Sequence, residues 1–211
     1  MHGCVDELRA LLAACAHTTD DHVVLVGDLV AKNPDSQAVV QLARENGFSA
    51  VMGNHDDHVL HMLGRSAEAA NRVEHARVAA SLQPDDVAWL SALPLYLEVQ
   101  TSTQSLIAVH AGLIPGVPLA AQPRKFLLNL RSIRSDGEPT RKIEGAPWAS
   151  LWQGPAHVVF GHDAIRGLQQ HAYATGLDTG CVYGQRLTAL IMPEQRLQSV
   201  QARRRYASIS D

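Results

Sequence analysis

The stretch 22–57, HVVLVGDLVAKNPDSQAVVQLARENGFSAVMGNHDD, decides the fold. Its first part, His22–Asp28, is a short β-branched run that ends in Gly-Asp, which predicts a buried strand. The following part has Pro34 near its start and Gly47 at its end, the pattern of a capped helix. A second strand is predicted at Ala50–Met52. Because such a β-α-β unit has parallel strands, the sequence indicates an α/β fold.

Helical and extended patterns continue on both sides of this unit. Before it, apolar residues recur at the i, i+3, i+4, i+7 spacing of a helix with one buried face, at Leu8, Leu11, Leu12 and Cys15. After it, a weakly amphipathic helical pattern covers 58–82, and another helix begins at Pro84. Further strands are predicted at LYLEVQ, SLIAVH, HVVFGH, LTALIM and LQSVQ, and a surface loop at 135–147.

This order of elements predicts the fold class. Helices dominate the first half of the chain and strands the second, and no repeat or linker divides it. We therefore expect one domain, 1–211, built as a layered α/β/β/α sandwich with two mixed sheets and outer helices.

The composition excludes several classes of protein. Hydrophobic residues make up 46% and charged residues 18% of the chain, which is the balance of a folded globular domain. The net charge of −3 gives no reason to expect non-specific nucleic-acid binding, and we interpret the basic run Arg203–Arg205 as a solvated tail. No apolar stretch approaches the ~18 residues of a membrane span. Three cysteines do not indicate a disulfide framework, so we expect a cytoplasmic location by default.

Five short motifs lie in turns that follow or adjoin predicted strands. They are His2-Gly3, Gly27-Asp28, Gly53–Asp56, His110–Gly112 and Gly161-His162. In open α/β sheets ligands bind at the carboxyl ends of strands, so these turns can meet at one edge. Asp, Asn and His suit divalent metals, and glycine lets the backbone approach closely. Each motif alone is a common turn, but the ordered set predicts a metal site.

The ordered set resembles the motifs of the calcineurin-like metallophosphoesterases, which run Asp-Xaa-His-Gly, Gly-Asp, Gly-Asn-His-Asp/Glu, His-Xaa-Gly and Gly-His. Within that superfamily, GDLVAKNPDS, GNHDD, VHAGLIPGVPL, LRS, VVFGHDA and GLDTGCVYGQRLTAL resemble the ApaH-like phosphatases. These are relatives of the bacterial diadenosine tetraphosphatase and of phosphoprotein phosphatases. The resemblance covers essentially the whole chain. It implies two divalent metals, drawn from Mn, Zn, Co, Fe and Mg, that hold a bridging hydroxide as nucleophile.

The resemblance also implies a role for each motif residue. The metal ligands would be His2, Asp28, Asn54, His110 and His162. Asp28 would bridge both metals and is therefore counted as catalytic, His2 would bind the first metal, and the other three would complete the second. His55 would be the general acid that protonates the leaving oxygen.

Further residues are implied to bind the phosphate or to line the pocket. Lys32 falls where phosphoprotein phosphatases carry an arginine. Arg131 would be a second phosphate clamp because its guanidinium binds oxygens in a bidentate manner, and Asn54 would also contact phosphate. Tyr183 would line the pocket.

Two departures from the family pattern affect the loops. Ala31 stands where phosphoprotein phosphatases have an Asp that supports the catalytic histidine, which leaves Asp56 or Asp57 as alternatives for orienting His55. Asn33 replaces the usual glycine of Lys-Gly-Pro. Asparagine tolerates a left-handed conformation, so we expect the loop to persist.

The third departure concerns the first motif. The Asp of Asp-Xaa-His-Gly, and the strand that delivers it, would precede Met1. We therefore expect that the natural gene product starts earlier, so that this chain lacks the first strand of the fold and one metal ligand. Whether a targeting segment precedes Met1 stays open.

The remaining histidines and cysteines give no second site. A zinc site from His2, Cys4, Cys15 and His17 is excluded, because the two cysteines would lie about 16 Å apart along one helix. We expect burial for Cys181. Surface or packing roles are expected for His58, His61 and His75.

Two classes of function follow. The first is a metal-dependent phosphohydrolase of the ApaH-like type. Its substrate would be a dinucleoside polyphosphate, inorganic polyphosphate, a capped RNA 5′ end or a phosphoprotein, since the resemblance implies all four. The alternative is a non-catalytic relative that has lost its first metal site and binds phosphate or a partner.

Overall fold

The computed structural model describes residues 1–33, 35–64 and 73–208. The helices are α1 (Val5–Ala14), α2 (Ser36–Glu45), α3 (Asn54–Leu60), α4 (Val73–Ser81), α5 (Pro84–Ser91) and α6 (Arg124–Leu127), with 3-10 turns at Leu119–Ala121, Trp148–Ser150 and Cys181–Tyr183. The strands are β1 (Val24–Leu25), β2 (Ser49–Ala50), β3 (Tyr96–Gln100), β4 (Ser105–Val109), β5 (Ser132–Ile133), β6 (Pro139–Thr140), β7 (Ala146–Pro147), β8 (His157–Phe160), β9 (Gln169–His171), β10 (Ala174–Gly176), β11 (Arg186–Ile191) and β12 (Arg196–Gln201). Within these ranges, no helix combines the length and the apolar character needed to cross a membrane.

One layer is a five-stranded mixed sheet in the order β3-β4-β8-β10-β9. The central strands β4, β8 and β10 are parallel, and the two outer strands are antiparallel to their neighbours. All residues of β4 after Ser105 are buried, as expected for a strand covered on both faces. Trp148 and Phe160 pack against each other in the core of this layer. Two of the motif turns, at His110 and His162, follow β4 and β8.

The second layer contains the predicted β-α-β unit. β1 and β2 pair in parallel, which confirms that expectation. Both are shorter than their patterns predict. The Val26 carbonyl accepts a hydrogen bond from the His110 ring, and Gly27 turns the chain with a φ of +84°, so the ladder ends early. The hairpin β11–β12 packs on α1, and an apolar cavity of about 470 Å³ lies between it and β1.

Two predictions about individual segments need correction. The helical pattern over 58–82 divides into α3, which begins at Asn54, and α4; residues 65–72 lie outside the described residues, as does Pro34. The predicted loop 135–147 contains β6 and β7, which both pair with β5 in an antiparallel manner. The strands β9 and β10 were not predicted. The basic run Arg203–Arg205 is exposed, as predicted, and Arg203 Nη1 donates to Asp6 on α1 at 2.7 Å.

Candidate metal centre

The five motif turns meet at one edge of the structure. His2 lies just before α1, Asp28 follows β1, and Asn54 is the first residue of α3. His110 directly follows β4, and His162 lies two residues after β8. All but the buried His110 line a cavity of about 610 Å³. The structure therefore brings together the five residues that the sequence assigned to a metal site.

Two of these side chains, His110 and His162, converge on the amide oxygen of Asn54. Asn54 Oδ1 lies 2.9 Å from His110 Nε2 and 3.1 Å from His162 Nδ1. His110 Nε2 also lies 3.4 Å from Asp28 Oδ1. Separations of this size are those between neighbouring ligands of one ion when the metal–ligand bonds are about 2.0–2.2 Å long.

The far side of the His110 ring decides where its proton lies. His110 Nδ1 is 2.9 Å from the Val26 carbonyl oxygen. A carbonyl can only accept, so Nδ1 donates, and the neutral form of the ring has its lone pair on Nε2. That lone pair faces the oxygens of Asn54 and Asp28. Acceptor atoms this close repel one another unless a cation lies among them, so the donor set fits a divalent metal.

His2 repeats the arrangement on the other side of Asp28. Its Nδ1 lies 3.1 Å from the Val30 carbonyl oxygen, and its Nε2 lies 3.3 Å from Asp28 Oδ2. Burial lowers the pKa of His2 well below its usual value, although Asp28 opposes this shift. The ring is therefore neutral, with a lone pair turned toward the carboxylate. Asp28 thus has one oxygen toward His2 and the other toward His110.

The position of Asp28 depends on the turn after β2. The His55 backbone N–H donates to Asp28 Oδ1 at 3.0 Å. A Cβ on Gly53 would lie only 2.4 Å from that same oxygen, so this position requires glycine. Burial raises the pKa of Asp28, but the positive charges that His110 and His2 carry when they are protonated lower it well below its usual value. Asp28 is therefore a carboxylate ready to bind cations.

Backbone strain is concentrated at this edge. Non-glycine residues with a positive φ in the described ranges include five that belong to the site or its loop: His2, Asp28, Ala31, Lys32 and His162. Such conformations cost of order 1–3 kcal/mol each and cluster at functional sites. The left-handed residues of the 31–33 loop are Ala31 and Lys32. Asn33 instead accepts a hydrogen bond from the Asp35 backbone N–H at its side-chain oxygen.

Asp56 joins the turns after β1 and β2. Its Oδ1 accepts from the backbone N–H groups of Leu29 and Val30 at 2.8 and 3.0 Å, and its Oδ2 accepts from Gly53 at 2.9 Å. Burial and the nearby Asp28 raise the pKa of Asp56 to about 6 despite these donors. The carboxylate is thus committed to the backbone and does not orient the His55 ring.

The Nδ1 atom of His55 contacts His75, on α4. His55 Nδ1 lies 2.9 Å from His75 Nε2, and the two rings stack. Asp57, the other alternative, bonds instead to Arg124 Nη2 at 2.6 Å. Burial lowers the pKa of His55 to about 3, although Asp28 opposes this shift. The sequence expectation of a plain packing role for His75 missed this contact.

The opposite wall of the cavity is basic. Lys32 Nζ donates to the Tyr183 hydroxyl at 2.6 Å, and Arg131 Nη1 donates to the Arg141 carbonyl oxygen at 3.2 Å. All four residues line the cavity, together with Lys142. The sequence pointed to Lys32, Arg131 and Tyr183. It missed Arg141 and Lys142, because they lie in the segment read as a surface loop.

Arg131 is positioned by an ion-pair network with Asp163 and Arg166 that the motifs did not reveal. Arg131 Nε lies 3.5 Å from Asp163 Oδ1, and Arg166 pairs with the other oxygen of that carboxylate. Arg166 also donates to Ser132 Oγ at 2.7 Å. The sequence signal for this network was the spacing of Asp163, in Gly-His-Asp, and Arg166 three residues later.

Two of the three cysteines, Cys4 and Cys181, are buried packing residues, and Cys15 is partly exposed. Cys181 is 4% exposed and Cys4 is fully buried, which confirms the expectation for Cys181. Both belong to a small apolar cluster with Val182 and Ala202.

Layered sheets that present Asp, Asn and His ligands beside a basic cavity define a metallophosphoesterase. Residues 1–191 match the family model described as calcineurin-like phosphoesterase, and the chain belongs to this family. It is therefore a hydrolase that acts on phosphoester or phosphoanhydride bonds, and its relatives place it in the ApaH-like group.

These relatives are similar over nearly their whole length. The asymmetrical bis(5′-nucleosyl)-tetraphosphatase PrpE of Oceanobacillus iheyensis is 26% identical, covering 96% of this chain and 90% of that protein. The symmetrical bis(5′-nucleosyl)-tetraphosphatase of Aromatoleum aromaticum is 27% identical, covering 99% and 97%. A solved structure described provisionally as a diadenosine tetraphosphatase has 38% identity and a TM-score of 0.85, covering 95% and 90%.

Proposed function

We propose that this protein hydrolyses dinucleoside polyphosphates at a centre of two divalent metal ions. The ligands would be His2, Asp28, Asn54, His110 and His162. The observation that carries the proposal is the placement of Asp28, whose two oxygens face His2 and His110 respectively, so that one carboxylate serves two ions. The names of the relatives support the substrate class.

Two ions would supply what these side chains cannot. When bound, divalent metals polarise phosphoryl oxygens and lower the pKa of a water molecule so that it attacks at neutral pH. The chain's part is to fix the ligands: the carbonyl oxygens of Val26 and Val30 hold the His110 and His2 rings in the tautomers that leave Nε2 available.

The basic wall would bind the polyphosphate. Four cationic side chains line the cavity: Lys32, Arg131, Arg141 and Lys142. Several positive charges suit a chain of phosphates better than a single phosphomonoester. Tyr183 positions the Lys32 ammonium through its hydroxyl, and Asp163 does the same for the Arg131 guanidinium.

His55 would donate the proton to the leaving oxygen. Without substrate its pKa is about 3, so the ring is neutral. An anionic phosphate in the cavity favours the imidazolium and raises this pKa toward the working range. His75 fixes the direction of the ring through Nδ1.

A substrate panel tests the proposal. The protein is incubated with Mn²⁺, Co²⁺, Zn²⁺ or Mg²⁺ and with diadenosine tetraphosphate, inorganic polyphosphate, capped RNA or a phosphopeptide, and the products are separated by anion exchange. We expect the highest kcat/KM on diadenosine tetraphosphate and its loss in Asp28→Asn. A preference for another substrate contradicts the substrate class. If none of the four substrates is hydrolysed with any of the four metals, the proposed function is contradicted.

A further inference from the structure

A second group of histidines lies beside the proposed metal centre. His55, His58 and His75 each offer a ring nitrogen, and these nitrogens lie within 4.8 Å of one another. His55 and His58 are three residues apart on α3, and His75 is on α4. Their ring centroids are separated by 5.1 to 6.1 Å. The cluster joins two helices and shares only His55 with the catalytic machinery.

The spacing suits a metal bound by three imidazoles. Zinc–nitrogen bonds are about 2.0–2.1 Å, so two nitrogens on a tetrahedral ion lie about 3.4 Å apart. His55 Nδ1 and His75 Nε2 are 2.9 Å apart, and the whole group fits within 4.8 Å. Small side-chain rotations would therefore bring all three nitrogens to one ion. His58 lines the cavity, so the fourth position would open toward substrate.

The ligand types separate this cluster from the centre at Asp28. The proposed dinuclear centre contains carboxylate and amide oxygens, which Mn²⁺ and Mg²⁺ accept readily. The cluster of His55, His58 and His75 offers nitrogen alone, the ligand set that suits Zn²⁺, Ni²⁺ and Cu²⁺. Mn²⁺ or Mg²⁺ would thus support the centre at Asp28 and leave the cluster empty.

We propose that His55, His58 and His75 form a third, inhibitory site for a borderline transition metal such as Zn²⁺. The inhibitory effect rests on the role proposed above for His55. An imidazole with a metal on Nδ1 keeps at most one ring proton, on Nε2. It cannot become the imidazolium that donates a proton to the leaving oxygen. Zinc at this site therefore suppresses turnover of substrates with poor leaving groups and spares those with good ones.

Metal counting tests the site without reference to activity. Protein saturated with Mn²⁺ is dialysed against increasing Zn²⁺, and metals per chain are measured by mass spectrometry in the wild type, His58→Ala and the control His61→Ala. His61 is an exposed histidine just after α3. To remove ambiguity from zinc replacing manganese, the comparison is repeated in an Asp28→Asn background. We expect His58→Ala to lose one zinc ion per chain in both backgrounds and His61→Ala to lose none.

Kinetics test the consequence. We expect Zn²⁺ to inhibit the Mn²⁺ form on diadenosine tetraphosphate at least tenfold more strongly than on p-nitrophenyl phosphate, and His58→Ala to abolish this difference. Equal zinc content in wild type and His58→Ala overturns the third site. If His58→Ala loses the ion but zinc inhibits both substrates equally, the site stands and the inhibitory role is overturned. The metal count remains decisive even if no substrate is hydrolysed.

Discussion

The position of one proton on each of the His2 and His110 rings determines which ring nitrogen is available to bind a metal. The His2 and His110 rings each donate from Nδ1 to a backbone carbonyl. Their Nε2 lone pairs then face the two oxygens of Asp28. Because each carbonyl belongs to the turn that also carries Asp28, the backbone fixes the two rings and the Asp28 carboxylate together.

Replacement of the proposed acid tests the role of His55. We expect His55→Ala to lower kcat on diadenosine tetraphosphate about 10²–10⁴-fold, the range that a general acid contributes. With Mn²⁺ as the only metal supplied, metals per chain should stay unchanged, since His55 is proposed as an acid and not as a ligand of the dinuclear centre. Aryl phosphates with good leaving groups should lose much less activity. Equal losses on both kinds of substrate would remove this role from His55.

The phosphate-binding side chains should behave differently. Lys32→Ala and Arg131→Ala remove positive charge from the cavity wall, so we expect each to raise the KM for substrate and the inhibition constant for inorganic phosphate together, about tenfold or more. Arg134→Ala is a matched control, because that arginine is exposed and pairs with Asp136. Unchanged phosphate inhibition in both variants would contradict their placement as phosphate ligands.

Among the elements, the turns after β1 and β2 behave as one unit because Asp56 accepts backbone hydrogen bonds from both. Asp56→Asn keeps one oxygen but points an NH₂ group at the Gly53 N–H. We expect a loss of about 1–3 kcal/mol in the free energy of unfolding, seen as a lower midpoint in urea at pH 8. Asp57→Asn is the control, since it affects only surface pairs with the exposed Arg124 and His61, each worth about 0–1 kcal/mol. Equal losses of stability in the two variants would show that the backbone hydrogen bonds of Asp56 contribute little.

The sequence predicted those elements whose signals are local. The β-α-β unit, the motif turns and five of the strands that follow Leu95 (β3, β4, β8, β11 and β12) were visible because each depends on a few consecutive residues. Contacts between distant segments were not visible. His75 reaches His55 only because α4 packs on α3, and Arg141 joins the cavity only because β6 and β7 fold back on β5. Neither contact has a spacing that could be read from the chain.

For the molecule as a whole, buried neutral histidines make stability depend on pH. Burial lowers the pKa values of His2, His55 and His162 below the ordinary value near 6.5. The unfolded chain binds these protons more readily, so their contribution is full above pH 6.5 and is lost as pH falls toward the folded-state values. The raised pKa of Asp56 offsets part of this trend.

We therefore expect the metal-free protein, kept in chelator, to be less stable at pH 5.5 than at pH 7.5. Below pH 6.5 the slope approaches about 1.4 kcal/mol per pH unit for each such histidine, and above pH 6.5 it is small. The free energy of unfolding is measured in urea across this range. His162→Asn should reduce the slope. A stability that rises toward pH 5.5 would contradict the neutral state of these rings.

Two ions bridged by Asp28 are the feature on which the proposed chemistry depends, and anomalous diffraction from crystals grown with Mn²⁺ would reveal them. We expect two anomalous peaks within about 4 Å of each other. One should lie between His2 and Asp28, and the other among Asp28, Asn54, His110 and His162. The absence of both peaks at saturating Mn²⁺, or ions bound without Asp28, would contradict the dinuclear centre.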